Sequence, residues 1–456
     1  MNVHDSERMA GLLETSGYDR ADTDADADLV VINTCSVRER AEDKLYTRLG
    51  EIKEMGRELG RDPIVAVTGC VAQQEGEKLI KRSAGVVDIV VGTQQVKMLP
   101  MLAHEALSEQ RATKSAVVSR GFAIDNPYEE PSFPLGIVRR GDPVRAYVTI
   151  IEGCNDFCAF CVVPYTRGHE RMRSKAEILA DVREAADSGR REVQLLGQIV
   201  NHYQAPDDPS CDFPALLEEV HKISGIDRIR FASPHPRHTS DRLIGAVRDL
   251  PKVCKHLHLP VQSGSSRVLG LMRRRHTREE YLGLVARIRE AIPNVQLSTD
   301  MIVGFPGESG ADFQETLSLT ETVRYHSMFS FKYSERPNTL AAKRMPDDVP
   351  EAEKTARIVA LQSRQREIQS ALHAASLGQV VDVLVDSASR RREGELSGRT
   401  SGNTVVNFPV PGGTQADPDL WLGRTVPILV TRAGPNSVAG ELAAPEAAVP
   451  AGAVTC

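Results

Sequence analysis

The chain has 456 residues, 41% of them hydrophobic and 26% charged, with a net charge of −6. That length suits two to four domains with separate cores, and no run of about eighteen apolar residues is present to span a membrane. Eight cysteines are spread along it and the first thirty residues are acidic and polar, without a readable secretion signal, so a disulfide framework is excluded and reduced thiols in a cytoplasm are expected. Net acidity weakly opposes indiscriminate nucleic-acid binding, although a local basic patch still grips phosphates.

Residues 1–122 alternate strand and helix signals. Apolar, β-branched runs at 29–34, 63–69 and 86–92 read as buried strands, and the stretches near 36–60 and 72–83 between them as helices. This is the pattern of βαβ units in a parallel sheet. Sites in such sheets form beyond the carboxyl ends of the strands. Cys35 follows the first run and Cys70 the second, so the two thiols either point into one site or are inert core cysteines. Residues 123–143 carry Pro127, Pro131, Pro134 and Pro143 and read as a linker.

From 144 to 371 the alternation resumes, opening with Cys154-Asn155-Asp156-Phe157-Cys158-Ala159-Phe160-Cys161 directly after the strand run 146–151. Three closely spaced thiolates on one loop suit a [4Fe–4S] cluster, and with no fourth cysteine nearby one iron is left open for chemistry. A structural zinc site would need a second Cys or His pair, which does not follow. Further strands are read at 192–197, 228–232, 256–261, 295–303 and 327–333, giving six strands joined by helices and hence a partial (β/α) barrel. Polar residues at their carboxyl ends are Gln198, Ser233, His235, Gln262, Ser263 and Asp300. Individually each could cap a helix or satisfy a loop; as a set they face one mouth. Gly304-Phe305-Pro306-Gly307-Glu308 matches no phosphate-binding glycine loop.

Residues 350–377 read as a helical connector, and from Gly378 short β segments at 380–385, 404–408 and 425–429 suggest a small, oligonucleotide-binding-like barrel over 372–445. An Ala/Pro-rich tail at 446–456 is expected to be disordered. Basic clusters stand at 171–175, at 273–276 and at 390–392. Solvated surface is the default for each, yet three clusters in different domains suit an RNA path; Arg273, Arg274, Arg390 and Arg391 are the candidate RNA contacts.

The chain resembles the radical-S-adenosylmethionine (radical-SAM) methylthiotransferase family across nearly its whole length, most closely the branch acting on N6-isopentenyladenosine in tRNA. The matching stretches include NVHDSE (Asn2 to Glu7), NTCSVRE (Asn33 to Glu39), GCVA (Gly69 to Ala72), GCNDFCAFC (Gly153 to Cys161) and VPYTRG (Val163 to Gly168). LLGQ (Leu195 to Gln198), FASPHP (Phe231 to Pro236), HLPVQSG (His258 to Gly264) and TDMIVGFPGE (Thr299 to Glu308) follow in the family's order. The resemblance implies a methylthiotransferase domain, a radical-SAM partial barrel and a TRAM β-barrel that binds RNA. It implies two [4Fe–4S] clusters, one on Cys154, Cys158 and Cys161 that chelates S-adenosylmethionine, and an auxiliary one with Cys35 and Cys70 among its ligands. Gln198, Ser233, Gln262 and Asp300 are the expected S-adenosylmethionine contacts.

The activity implied is 2-methylthiolation of N6-isopentenyladenosine next to the anticodon, by a cytoplasmic monomer drawing on a reducing electron donor. Alternatives are sister activities on a ribosomal-protein aspartate or on threonylcarbamoyl-adenosine, or an RNA-binding cluster protein without sulfur insertion. Three departures stand out. The family's third auxiliary cysteine and the strand carrying it have no counterpart before Asn2, and the expectation is that Met1 is an internal methionine of a longer chain. Ile199 and His202 follow Gln198, and His169 stands where Arg is common in the family.

Overall fold

The structure is a computed structural model that describes residues 1–35, 39–113, 122–123, 138–389, 392–410 and 417–443. The chain divides into two compact units, one of residues 1–141, 151–171 and 334–344, the other of 142–150, 172–333 and 345–456.

The first unit is built on a parallel sheet of β1 (Leu29–Thr34), β2 (Ile64–Gly69), β3 (Ile89–Val91) and β4 (Phe122–Ala123), in that spatial order. Around it run α1 (Asn2–Thr15), α2 (Glu39–Leu59), α3 (Cys70–Glu75), α4 (Glu77–Arg82) and α5 (Leu99–Thr113). A sheet covered on both faces calls for continuous apolar strands, and every residue of β2 is buried. Side chains alternate across it. Ile64 and Ala66 pack with Met9, Ile89, Leu99 and Ala103 on one face, and Val65 and Val67 pack with Leu45, Leu49, Ile52 and Leu79 on the other. Each such large aliphatic contributes about 1.5–3 kcal/mol by burial.

Two features were not legible. The helix α1 lies in the stretch read only as acidic and polar, because its apolar residues are sparse; Met9, Leu12 and Leu13 reach the core, and polar groups add to the hold, Arg139 N and Gly141 N both donating to Glu7. Residues 139–141, inside the expected linker, are therefore packed against α1. The strand β4 also reaches Ala123, one residue into that linker.

The chain runs through β5 (Arg145–Thr149), β6 (Ile151–Glu152), α6 (Val163–Arg167) and β7 (Arg171–Met172). In the second unit β5, β8 (Glu192–Leu196) and β9 (Arg228–Phe231) form one parallel sheet, and β10 (His256–His258), β11 (Gln296–Val303) and β12 (Ser327–Lys332) form another. A parallel bridge between Ile229 and Val253 links the two, giving six parallel strands of an open barrel. The crossovers are α7 (Lys175–Asp187), α8 (Phe213–His221), α9 (Asp241–Asp249), α10 (Ser266–Leu271), α11 (Arg278–Ala291) and α12 (Gly310–Val323). Ser174, Asp212 and Ser240 cap α7, α8 and α9 through their side chains, while Thr277/Glu280 and Ser309/Asp312 form capping boxes on α11 and α12. Each cap is worth about 1 kcal/mol.

After α13 (Leu340–Arg344), which belongs to the first unit, α14 (Glu351–Ala374) leads to a closed barrel. Its strands are β13 (Val380–Ala388), β14 (Glu395–Arg399), β15 (Val405–Pro409), β16 (Thr425–Ala433) and β17 (Val438–Leu442), in the order β13-β14-β15-β17-β16. Val383, Leu396, Phe408, Trp421 and Ile428 fill it. The strands β14 and β17 escaped the sequence reading because each is short and carries a glycine. Those glycines mark close backbone approach, not turns: a Cβ on Gly398 would meet Leu384 O at 2.4 Å, and one on Gly440 would meet Leu429 O at 2.1 Å.

This small barrel docks at the amino ends of the parallel strands. Arg145, Glu192 and Arg228 open β5, β8 and β9 and are register neighbours. Glu192 accepts from Arg145 Nε (2.6 Å) and Arg230 Nε (2.8 Å). Arg230 then donates to the carbonyls of Thr400 and Ser401, and Arg228 to those of Asp382 and Arg399.

Candidate active site

In the first unit the register of β1 with β2 ends at Thr34 opposite Gly69, so Cys35 and Cys70 step off neighbouring strands at the same level. The turn requires glycine: Gly69 has φ +90°, and a Cβ there would meet Asn33 Oδ1 and Thr34 O at 2.4 Å. Cys70 is buried and Cys35 half-buried. Beside Cys70 lies Arg167. Burial works against its charge, but Asp5 and Cys70 hold its pKa well above the usual arginine value. Asp5 accepts from Arg167 Nη2 at 2.6 Å, and Gln94 Nε2 donates to Arg167 O at 2.9 Å. One guanidinium thus ties the NVHDSE and PYTR stretches together next to a candidate ligand.

The loop 154–161 belongs to the same unit. Its entry needs Gly153, with φ +74° and His169 O only 2.0 Å from where a Cβ would stand. Cys154 N donates to Gly168 O, Asn155 Oδ1 bonds the His169 ring and Glu170 N, and Phe157, at φ +46°, sets its edge on His169. Cys161 N donates to Cys158 O, and Ala341 N to Ala159 O. The three cysteines are therefore carried by a tied-down loop. Burial pushes the Cys154 thiol up to about 12, with Cys161 and Cys158 adding in the same direction; a cationic partner is what such a set needs in order to ionise.

No disulfide joins the cysteines among the described residues. Nor do three His, Cys, Asp or Glu side chains converge among them as ligands of a single ion do. The thiolates of a [4Fe–4S] cluster sit on different irons. Three thiols on one loop are the donor set such a cluster takes. Cys35 and Cys70 supply two thiols to a second location.

In the second unit three of the four expected cofactor contacts follow the carboxyl ends of parallel strands, and the fourth lies within one. Gln198 follows β8, Ser233 follows β9, Asp300 lies in β11 and Gln262 bridges to Met301. Ser233 and Gln262 adopt left-handed backbone, φ +61° and +79°. Side-chain-bearing residues adopt this region uncommonly. Gln262 N donates to Asp300 O, and Gln262 O accepts from Ile302 N, which fixes the strained residue.

Two members of the expected ring are placed otherwise. Ser263 is fully buried and its hydroxyl accepts from Ser265 N. His235 is buried and its ring accepts from Arg237 N; burial, with Arg274 and His276 adding, holds it far below the ordinary histidine pKa, hence neutral. The sequence reading also missed a polar line inside the barrel. Ser298 Oγ lies 2.9 Å from both His256 Nε2 and His258 Nδ1, and His258 Nε2 lies 3.4 Å from Asp300 Oδ1. The His-Leu-His alternation in β10 was its only signal.

The basic residues separate. Arg273 is exposed, with φ +59°. Arg274 is 7% exposed and donates to Pro260 O at 2.7 Å, so its guanidinium serves the barrel interior and is not presented to phosphate. Arg173, in the 171–175 cluster, is likewise buried against Asp181 at 2.7 Å. Arg390 and Arg391 lie outside the described residues.

Comparison with known proteins gives three family matches in chain order: Uncharacterized protein family UPF0004 over residues 1–92, Radical SAM superfamily over 148–320 and TRAM domain over 375–443. Relatives named tRNA-2-methylthio-N6-dimethylallyladenosine synthase are similar along the whole chain. The one from Solibacter usitatus is 44% identical over 97% of this chain and 96% of its own, and the one from Geotalea uraniireducens 46% over the same shares. Among solved structures, the radical S-adenosylmethionine methyltransferase TsrM from Kitasatospora setae shares the fold, with a TM-score of 0.50 at 14% identity over 73% of this chain and 66% of that one.

Proposed function

We propose, because this chain belongs to the radical-SAM methylthiotransferase family with the tRNA-2-methylthio-N6-dimethylallyladenosine synthases, that it replaces the hydrogen at carbon 2 of N6-isopentenyladenosine, beside the anticodon of tRNA, by a methylthio group. The observation that carries this reading is identity of 44–46% spread over 97% of the chain. Residues 1–122 then form the methylthiotransferase domain, 144–371 the radical-SAM domain and 372–445 the RNA-binding TRAM barrel.

Cys154, Cys158 and Cys161 would hold the [4Fe–4S] cluster, and Cys35 with Cys70 would supply thiolates to the auxiliary one. When bound and reduced, the first cluster would supply the 5′-deoxyadenosyl radical from S-adenosylmethionine, the means of attacking an aromatic C–H that no side-chain base could deprotonate. The chain's own residues orient the reactants. Gln198, Ser233, Gln262 and Asp300 hold S-adenosylmethionine at the strand ends, the left-handed backbone at Ser233 and Gln262 fixing where their side chains leave the strands. Asp300 is steadied by His258. Arg167, in the family's PYTR stretch, keeps a fixed positive charge beside Cys70. The substrate adenine sits in a loop, where it can be splayed out without breaking a helix. In this reading the enzyme works in the cytoplasm as a monomer and takes electrons from a separate reductant.

The test is the nucleoside content of tRNA from cells in which the gene is deleted. The methylthiolated nucleoside disappears, N6-isopentenyladenosine accumulates, and the intact chain restores the first while a Cys158→Ala chain does not. Unchanged tRNA in the deletion would refute the proposal.

A further inference from the structure

Five aromatic rings of the second unit line up from the surface to the core. His202 stands 4.5 Å from His238, with ring planes tilted by 33°. His238 then meets His235 at 5.8 Å and His235 meets His276 at 5.7 Å, both edge-on, and His276 meets Tyr281 at 6.2 Å. The inner end is anchored: Tyr281 is fully buried, its hydroxyl donates to Leu259 O and accepts from the hydroxyl of Tyr325. At the outer end His202 is exposed and His238 half-buried. Within the column only the pairs at its two ends lie closer to parallel than to edge-on.

The outer pair is built, not incidental. His202 ends the turn after β8 and His238 the turn after β9, so both stand at the carboxyl mouth of the open barrel. Asn201 clasps the two turns together: its Oδ1 accepts from His235 N at 2.8 Å, and its Nδ2 donates to His235 O at 2.9 Å and Thr239 Oγ1 at 3.2 Å. The expected cofactor residues Gln198 and Ser233 lie on the same two connections, four residues before His202 and five before His238. Burial, with Arg274 adding, lowers the His276 pKa to about 4, so the inner column is neutral and aromatic at physiological pH. Exposed Arg237, between His235 and His238 in the chain, adds positive charge beside it.

We propose that the His202–His238 pair is a stacking platform for an unpaired nucleobase of the substrate RNA, a neighbour of the modified adenosine in the loop. This rests on the RNA-modifying reading above. A preorganised ring pair at the mouth has the two properties single-stranded RNA recognition uses, a π face for the base and, in Arg237, a nearby cation for a phosphate.

The test uses the full-length, cluster-loaded protein and an anticodon stem-loop RNA carrying N6-isopentenyladenosine, with 2-aminopurine at the positions flanking it in turn. One flanking 2-aminopurine is expected to change its fluorescence on binding wild-type protein and not on binding His202→Ala. The KM for RNA rises about tenfold in that variant while kcat is retained, and His202→Tyr, which restores a π face, recovers both signals. The exposed position of His202 makes misfolding of these variants unnecessary to invoke, and a normal KM for S-adenosylmethionine checks it. Equal fluorescence and equal RNA affinity in His202→Ala would overturn the platform. A wild-type protein that binds the RNA with the fluorescence change yet never methylthiolates it would keep the platform and overturn the assigned reaction.

Discussion

The two ends of the open barrel carry polar groups of similar number and opposite use. At the amino ends, Arg145, Glu192, Arg228 and Arg230 are buried or nearly so, and each is bonded to another side chain or to a carbonyl of the small β-barrel. At the carboxyl ends, Gln198, Ser233 and Asp300 are half-buried, and Ser233 and Gln262 sit on left-handed backbone. Buried charges that are fully paired fix one arrangement of two bodies without adding much net stability. Left-handed backbone of the kind at Ser233 and Gln262 is strained, and such strain gathers at ligand sites. The location of a polar residue therefore says less than how deeply it is buried and what backbone carries it.

That contrast breaks most sharply at the cysteine loop. Cys158→Ala is expected to remove the iron bound by residues 154–161 and abolish S-adenosylmethionine cleavage, while urea unfolding of the small barrel stays as in wild type. The chain's single tryptophan, Trp421, is 2% exposed inside that barrel, so its fluorescence reports the barrel alone. Retained cleavage would mean that the loop is not the cluster site.

At the other end, Glu192→Ala leaves Arg145 and Arg230 buried without their acid, and should cost about 3–5 kcal/mol, read as an earlier Trp421 transition in urea. An unmoved transition would show that the network does not hold the barrel. Acid should do the same more gently. Burial opposes ionisation of Glu192, but Arg230 and Arg145 outweigh it and hold its carboxyl below the usual glutamate range. A depressed acid stabilises above its unfolded value and loses that contribution as pH falls through the folded one. Trp421 should therefore become easier to unfold below about pH 4; a flat stability there would contradict the pairing.

The smallest and most discriminating pair is Arg273 and Arg274. Arg274→Ala leaves Pro260 O without its donor and should lower stability by about 1–3 kcal/mol, with RNA affinity changed only to the extent that the fold is. Arg273→Ala should leave stability alone and raise the KM for RNA a few-fold, more at low salt than at high. The reverse assignment of effects would undo the distinction between buried and exposed charge.

Much of this architecture is written in local patterns. Apolar β-branched runs marked three of the four parallel strands of the first sheet and the six of the open barrel, and the spacing of Cys154, Cys158 and Cys161 marked their loop. What stayed hidden depended on partners far away in sequence. Arg228 and Arg230 read as ordinary strand arginines until the carbonyls at 399–401 and at Asp382 meet them. Arg274 sits in a basic run, yet backbone at Arg273 and Arg275 in left-handed conformation turns it inward between two exposed neighbours. The His202–His238 contact joins two turns 36 residues apart, and no periodicity announces it.

The most direct measurement is a reaction of the cluster-loaded, reduced protein with S-adenosylmethionine and an anticodon stem-loop RNA bearing N6-isopentenyladenosine, followed by mass spectrometry of the digested nucleosides. The account predicts that the adenosine gains one methylthio group in place of a hydrogen at carbon 2, and that an RNA with unmodified adenosine reacts poorly. S-Adenosylmethionine cleavage with the RNA left unchanged, or a methylthio group appearing on a ribosomal-protein aspartate instead, would contradict it.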